Sequence, residues 1–414
     1  MPFPKAIPAL ADLTQDIAGP LPVDLLQNWA SGTQDLARAG QLLDGFRIEG
    51  TVVSSDTSGL SRLTEEMELL DVISLISAPK EIVHAVGVAI GGKAIGTWVA
   101  DNTEMYYPAS IGAEVVLAGM SETQHRIAGS LPVGIGMCVH SGVFYELGGG
   151  LYGRDADAVE QLAENHARAG EVLVTDAVAN RFAASRAFTF EPRPALGDVY
   201  APGVYALASS ERLPHLTPTD IRYPHPYPAD FFERLTALKS VSDPHEVRKD
   251  IYATYLDERV IVFVTRARDE IESGDLGALL DDLVTNALMD TIVHGTPGSE
   301  PHVTSLGGGL AILTFLKASD ALDLAFLLRA RFADNGLPVK MGIDRGPVLV
   351  FPGSRGPSGI TGDPVNLASK ISDDAGTAGK IHVTARVVET LPRLPPSEPF
   401  EVTVSGIQIT GVTL

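Results

Sequence analysis

The chain repeats itself over a long interval. The strand-like run Val52-Val53-Ser54-Ser55-Asp56 matches Ile261-Val262-Phe263-Val264-Thr265, 209 residues later. The segment GRDADAVEQLAENHARAGEVLVT, from Gly153, aligns without a gap on GDPVNLASKISDDAGTAGKIHVT, from Gly362, again 209 residues later. Between these anchors, LPVGIGMCVHSG at 131–142 corresponds to LPVKMGIDRG at 337–346. Self-similarity at one fixed spacing means two copies of one folding unit, each about 150–165 residues long. Within each copy the order is the same. A strand is followed by a helical stretch (Leu60–Ser77 or Ala267–Val293) and a hairpin with glycines at its turn (Val86–Tyr107 or Val303–Phe315). A helix, the strand ending in HSG or DRG, a second strand, a loop, a helix and the strand EVLVT or KIHVT complete the unit. Strands separated by helices, with a hairpin inside, predict an α+β fold with a βαβ-containing mixed sheet faced by helices.

Punctuation divides the 414 residues further. Residues 1–45 form a lead-in that is rich in proline at first. From Val23 to Phe46, Leu25, Leu26, Trp29, Leu36, Leu42 and Leu43 have helical spacing, with Gly32 and Gly40 as breaks. The first unit occupies 46–210. A proline-rich linker spans 211–255, where YPHPYP (223–228) is stiff, extended and a poor helix or strand. The second unit occupies 256–414.

Charge narrows the functions open to such a fold. Lys and Arg number 31 against 52 Asp and Glu, a formal net charge of −21, which argues against a general nucleic-acid binder or a protein docking on anionic lipid. An anionic ligand would have to meet a few local cations or bound metal. The single cysteine, Cys138, allows no intrachain disulfide and no cysteine zinc cluster. No run of about 18 uncharged apolar residues predicts a membrane span, and the N-terminal MPFPKAIPAL lacks the apolar helix of a signal peptide. The expectation is a cytoplasmic protein.

Three segments resemble the catalytic domains of class III nucleotidyl cyclases, the adenylyl and guanylyl cyclase family. Gly362-Asp363-Pro364-Val365-Asn366-Leu367-Ala368-Ser369-Lys370, followed by Gly379-Lys380-Ile381-His382-Val383-Thr384, is similar to the family's G-D-x-V-N-x-A-x-R and I-x-V-T. Val52-Val53-Ser54-Ser55-Asp56-Thr57-Ser58-Gly59-Leu60-Ser61 resembles F-x-D-I-x-G-F-T, without its Phe. Gly134–Gly142 and Met341–Gly346 are similar to the strand G-I-H-x-G. The resemblance implies two tandem ferredoxin-like βαββαβ domains that form an internal pseudo-dimer. It also implies a reaction: the ribose 3′-OH attacks the α-phosphate of a nucleoside triphosphate, ATP first among them, and pyrophosphate leaves. Positioning and electrostatics would then do most of the catalysis, with two Mg²⁺ or Mn²⁺ ions held by a carboxylate pair.

The halves have diverged in complementary ways. By the resemblance, Asp56 and Asp101 would hold metal in the first half, where the second half has Thr265 and Gly308 or Gly309. Asn366 would orient the ribose and Lys370 would replace the transition-state Arg; their ungapped counterparts are Asp157 and Gln161. Lys380 would bind phosphate, and its counterpart is Glu171. Backbone amides of Thr57, Ser58, Gly59 and Leu60 would contact the β- and γ-phosphates. One complete composite site and one degenerate site are therefore expected.

Several residues depart from the family. Thr97 and Thr304 stand where the purine-reading Lys would lie, Gly359 where its Asp or Cys would lie, and Lys370 is a point charge in place of a planar fork. These departures keep a second reading open: a catalytically silent pseudocyclase serving as a nucleotide-binding or protein-interaction regulatory module. Asp155, Asp157, Glu160 and Glu164 read as a solvated helix face, and His140 and His166 as structural. Gly148-Gly149-Gly150-Leu151-Tyr152-Gly153 satisfies G-x-G-x-x-G but sits mid-domain, so it reads as a loop-shaping sequence and not as a dinucleotide site.

Overall fold

The computed structural model describes residues 23–58, 67–98, 101–196, 200, 203–238, 241, 243–267, 274–295, 302–307, 309–353, 356–373, 375–404 and 407–414. Two helices, α1 (Val23–Ala30) and α2 (Leu36–Leu43), lead in; Gly40 lies inside α2 and does not break it. The first half then runs β1 (Arg47–Thr57), α3 (Leu69–Ala89), β2 (Lys93–Ala94), β3 (Thr103–Pro108), α4 (Ala113–Ser130), β4 (Ile135–Leu147), β5 (Gly150–Tyr152), α5 (Arg154–Asn165), β6 (Val172–Thr175), α6 (Asp176–Ala179), β7 (Phe188–Pro192) and β8 (Val204–Ser210). Two helices follow in the linker, α7 (Ala229–Ala237) and α8 (Pro244–Tyr255). The second half repeats the order: β9 (Leu256–Arg266), α9 (Gly274–Gly295), β10 (His302–Gly307), β11 (Leu310–Phe315), α10 (Ala318–Asp334), β12 (Val339–Gly353), β13 (Gly356–Thr361), α11 (Asp363–Asp373), β14 (Ile381–Thr384), α12 (Ala385–Val388), β15 (Glu398–Val404) and β16 (Ile407–Thr413).

The repeat holds at the level of topology. One eight-stranded sheet has the order β2-β3-β1-β4-β6-β8-β7 with β5 on β4; the other has β10-β11-β9-β12-β14-β16-β15 with β13 on β12. The β4–β6 and β12–β14 pairs are parallel and the others antiparallel, so each half is a mixed sheet in an α+β fold. Each central strand is apolar on both faces, as a strand covered twice must be. Val53 of β1 and Met137 and Val139 of β4 face α3 and α4, with Leu70, Ile73, Val116 and Leu117. Val52 and Cys138 face α5, with Val159, Leu162 and Ala163. In the second half Val262, Val264 and Met341 face α9 and α10, while Ile261 and Phe263 face Val365 and Ala368 of α11. Gly153 and Gly362, at equivalent places before α5 and α11, both have positive φ (110° and 153°), a backbone that a side chain would strain.

The structure differs from the sequence reading at the first hairpin. Val86–Ala89 belongs to α3, which ends at Ala89 and is followed by Gly91 with φ of 93°, and on the hairpin's first arm Lys93 and Ala94 form the strand that pairs with β3. The apolar run is a helix because its residues bury into the α3–α4 core. Helix α3 is long and apolar enough by composition to cross a membrane, yet it lies in the core of the first half. The stretch 59–66, the start of the expected helix, lies outside the described residues.

The proline-rich segment is packed against both halves. Tyr223, Tyr227, Phe231, Phe232 and Tyr255 share one core with α3 and with Leu349 and Phe351 of β12. Lead-in helices tie the halves elsewhere: Trp29 is fully buried among Leu25, Leu43 and Leu147 and the α9 residues Leu279, Leu280 and Leu283, and its Nε1 donates to Asp281 at 2.7 Å.

Candidate functional site

Asp56 and Asp101 come together. Asp56 sits near the C-terminal end of β1, and Asp101 two residues before the adjacent strand β3. Asp56 is half-buried and Asp101 is 2% exposed. The two carboxyls are near enough for the charge of Asp101 to act on Asp56. Burial first, then the charge of Asp101 and of Glu164 on α5, raises the Asp56 carboxyl far above its ordinary value. Two like charges brought close disfavour each other's ionised form.

A third group completes the arrangement. Lys80, on α3, is 1% exposed, and the charges of Asp101 and Asp56 act on it. Burial lowers its ammonium, while Asp101 and Asp56 pull it back toward the charged form. Its Nζ donates to the Trp98 carbonyl at 3.1 Å and stands over the Tyr223 ring at 5.6 Å. Trp98 is itself clamped by the linker. Its amide donates to the Pro224 carbonyl at 2.8 Å, and its ring stacks on Tyr223 at 5.8 Å. Ser77, Lys80 and His84 fall on one face of α3, at helical spacing. All three meet the linker: Tyr223 donates to Ser77 at 3.0 Å, and His84 Nδ1 lies 3.0 Å from the Ile221 carbonyl.

Sequence reasoning missed Lys80. A signal was present: Ile73, Ile76, Lys80 and Val83 follow the 3–4 spacing of the buried stripe, so a lysine there is on the core side. A buried lysine needs a buried anion.

The second half inverts this chemistry. At the Asp56 position Thr265 Oγ1 lies 3.0 Å from Ser372 Oγ on α11. The next residue, Arg266, donates to Asp282 of α9 at 2.6 Å, with both side chains 6% exposed. In the first half the strand and hairpin give the acids and the helix gives the cation; here the strand gives the cation and the helix gives the acid. Gly308 lies outside the described residues; Gly309, at the hairpin, has φ of 79°. A Cβ on Gly309 would stand 2.5 Å from Asp282 Oδ1, so no longer side chain fits there.

Asn366 and Lys370 lie on α11 and are 4% and 5% exposed, whereas their counterparts Asp157 and Gln161 on α5 are exposed. Lys380 is exposed in the turn before β14, where its amide donates to Thr377 at 3.0 Å. Of the expected phosphate-binding amides, that of Ser58 donates to the Gly134 carbonyl at 3.1 Å, and Gly59 and Leu60 lie outside the described residues.

The acids of α5 do not form one solvated face. Asp157 and Glu164 are exposed, but Glu160 is half-buried, bonded to Asn102 and pushed up to about 7 by burial, Glu164 and Asp157. Glu104 on β3 is raised in turn by burial, Glu160 and Asp157. Asp155 lies 3.2 Å from His140 Nε2, whose Nδ1 is 2.8 Å from Thr175 Oγ1. The bond to His140 holds Asp155 below the usual carboxylate range. Asp344 takes the place of His140 in the second half, bonded to Thr384 and Arg386.

Asp56 and Asp101 are the carboxyls that the resemblance implied for a two-ion centre, and the fold sets them at the ends of neighbouring strands. Among the described residues, no group of three or more His, Cys, Asp or Glu side chains converges to hold a metal ion.

No family model and no curated protein matches the sequence. Solved structures do resemble the fold. A class III adenylyl cyclase-like ATP-binding protein from Pseudomonas aeruginosa is 13% identical, with a TM-score of 0.47 over 83% of this chain and 85% of that one. The adenylyl cyclase CyaB from P. aeruginosa is 17% identical, with a TM-score of 0.34 over 40% of this chain and 96% of its own. The guanylate cyclase domain of RhGC from Catenaria anguillulae is 16% identical, with a TM-score of 0.31 over 38% of this chain and 94% of its own.

Proposed function

We propose that the chain binds one nucleoside triphosphate between its halves and does not cyclise it, acting as a regulatory nucleotide-binding module. The observation that carries this reading is the asymmetry of the repeat. The first half keeps the acid pair Asp56–Asp101, and the second fills the equivalent place with the ion pair Arg266–Asp282. The second half keeps Asn366 and Lys370 under cover, and the first exposes Asp157 and Gln161 in their stead. A polyanion is drawn to the lysines and repelled by the acidic α5 face, so one site is expected per chain and not two. Turnover needs charge stabilisation that appears only in the transition state. Lys370 supplies a single point charge where a planar fork does that work.

A second reading, cyclisation to the 3′,5′-cyclic nucleotide, draws on the closeness of Asp56 and Asp101. Calorimetry of the intact chain with ATP, GTP, UTP and CTP, with mass spectrometry of the Mn²⁺-supplemented mixtures, separates the two. One bound nucleotide and no cyclic product is the expected result. A cyclic product lost in Asp56→Asn establishes the second reading, and no binding of any triphosphate overturns both.

A further inference from the structure

Helix α11 carries Asn366 and Lys370, and one arginine ties its first turn to the sheet. Arg386, on α12 just after β14, reaches two acids. Its Nε donates to Oδ1 of Asp344 on β12 at 3.2 Å and its Nη2 to the other oxygen of that carboxylate. Its Nη1 donates to Asp363, the first residue of α11, at 2.7 Å. Asp344 is fully buried and also accepts from Thr384, so the strand end of the bridge is fixed from two sides. The backbone packs closely beside it: a Cβ on Gly346 of β12 would stand 3.0 Å from Pro364 Cγ and 3.7 Å from Arg386 Nη1. Asp363, Asn366 and Lys370 are spaced by three and four residues, so they share one face of the helix. In the first half, Ala177 stands 209 residues before Arg386 and Arg154 209 before Asp363, so the bridging cation has no counterpart. There the strand meets the helix through His140 Nε2 and Asp155 Oδ2, 3.2 Å apart.

We infer that Arg386, acting through Asp363, is a positioning residue for the triphosphate: it fixes how α11 is turned on the sheet, and so where Asn366 and Lys370 meet the ligand. The assignment rests on the reading of one nucleotide bound between the halves. A guanidinium is a rigid fork that can hold two carboxylates at once, which a lysine cannot. Pinned at Asp363 and packed at Pro364, α11 cannot rotate about its axis without breaking the bridge, and any rotation would carry Asn366 and Lys370 with it. The half with the fork is the half that keeps both residues. The effect has a sign of its own. Deleting an acid near a polyanion strengthens binding through the field alone, whereas deleting the tether weakens it.

ATP titrated into the intact chain by calorimetry tests this, with circular dichroism to show which variants fold. Asp363→Asn keeps the shape and leaves the buried Asp344–Arg386 pair in place, and it removes the charge that ties the helix. Its affinity should fall roughly 10-fold, the scale on which loss of an orienting partner acts. Arg386→Lys should fall likewise, since a point charge cannot fork across both acids. In a Lys370→Ala background Asp363→Asn should cost less, because the tether acts through a residue already removed. Asp155→Asn, the acid of the α5 contact, should leave affinity unchanged or slightly raised. If Asp363→Asn does not fold, Arg386→Lys carries the same test. A wild type that binds no triphosphate overturns the single-nucleotide reading and the inference with it. A wild type that binds, beside a folded Asp363→Asn that binds as well or better, overturns the inference alone. So do losses from Asp363→Asn and Lys370→Ala that simply add.

Discussion

Thr265 Oγ1 lies 3.0 Å from Ser372 Oγ, at the repeat position where the first half sets Asp56 against Asp101. A neutral hydroxyl pair has replaced an acid pair on the same strand of the same fold. The surrounding charge has followed, with Arg266–Asp282 standing where the first half has Lys80 and its acids. Similar scaffolds therefore carry opposite local chemistry, and the predictions below exploit that difference.

Breaking the buried Arg266–Asp282 pair from one side should be costly. Both side chains are 6% exposed and bonded at 2.6 Å, so Arg266→Met leaves Asp282 charged and buried. A loss of about 3–5 kcal/mol is expected for the single change. The double variant Arg266→Met/Asp282→Leu should recover most of it. Urea unfolding of both variants measures the difference. A single variant as stable as the wild type would mean that water reaches the pair.

The lead-in helices should contribute to global stability through Trp29. Its ring is fully buried between the halves, and its Nε1 donates to Asp281 at 2.7 Å. Trp29→Ala should cost about 3–5 kcal/mol by opening a cavity, and Trp29→Phe about 1 kcal/mol for the lost bond. Thermal melting of the three proteins orders them. Equal melting for Trp29→Ala and the wild type would show that the lead-in docks without stabilising the pair of halves.

The repeat was legible because β1 and β9, and α5 and α11, keep their spacing of 209 residues, and the two sheets have one strand order. Asp56 and Asp101 were legible as a pair because neighbouring strands put them there. Lys80 was not, because its partners arrive from 21 residues away on the hairpin and from the linker, and one lysine in an apolar run carries no motif. The packing of Tyr223 and Tyr227 was hidden for a related reason: proline-rich composition reports backbone stiffness, not what the intervening aromatic rings bury. The inversion at Arg266 needed the structure, since it depends on Asp282 facing the strand end from α9.

Stability should fall as pH rises from about 5 to 7. Burial, then Glu164 and Asp157, raises Glu160 from 4.5 to about 7 in the folded protein. An unfolded chain releases that proton first, so between those values the folded state holds more protons and loses ground as pH rises. Glu104 is raised in the same direction. Glu160→Gln cannot ionise, so its melting temperature should drop less over this window and exceed the wild type near pH 7.5. Parallel melting curves across pH for the two proteins would remove Glu160 as a cause.

Matched substitutions at repeat-equivalent positions test the single-site reading. Asn366 and Lys370 are covered on α11, and Asp157 and Gln161 occupy the same helical positions, exposed, on α5. If the triphosphate lies against α11, Lys370→Ala removes a charge-assisted contact worth about 1.5–3 kcal/mol, which is roughly a 10- to 150-fold loss of affinity. Asn366→Ala should lose less, since a neutral hydrogen bond is worth about 1 kcal/mol. On α5 the sign reverses. Asp157→Ala deletes an acid from a face that no phosphate touches, so affinity should stay the same or rise slightly through the weaker long-range field. Asp157→Ala combined with Gln161→Ala should leave one nucleotide per chain. Calorimetry gives affinity and stoichiometry in one titration. Comparable losses from Lys370→Ala and Asp157→Ala, or a second bound nucleotide in the wild type, would show that the two halves are used alike and that the asymmetry of the repeat has another cause.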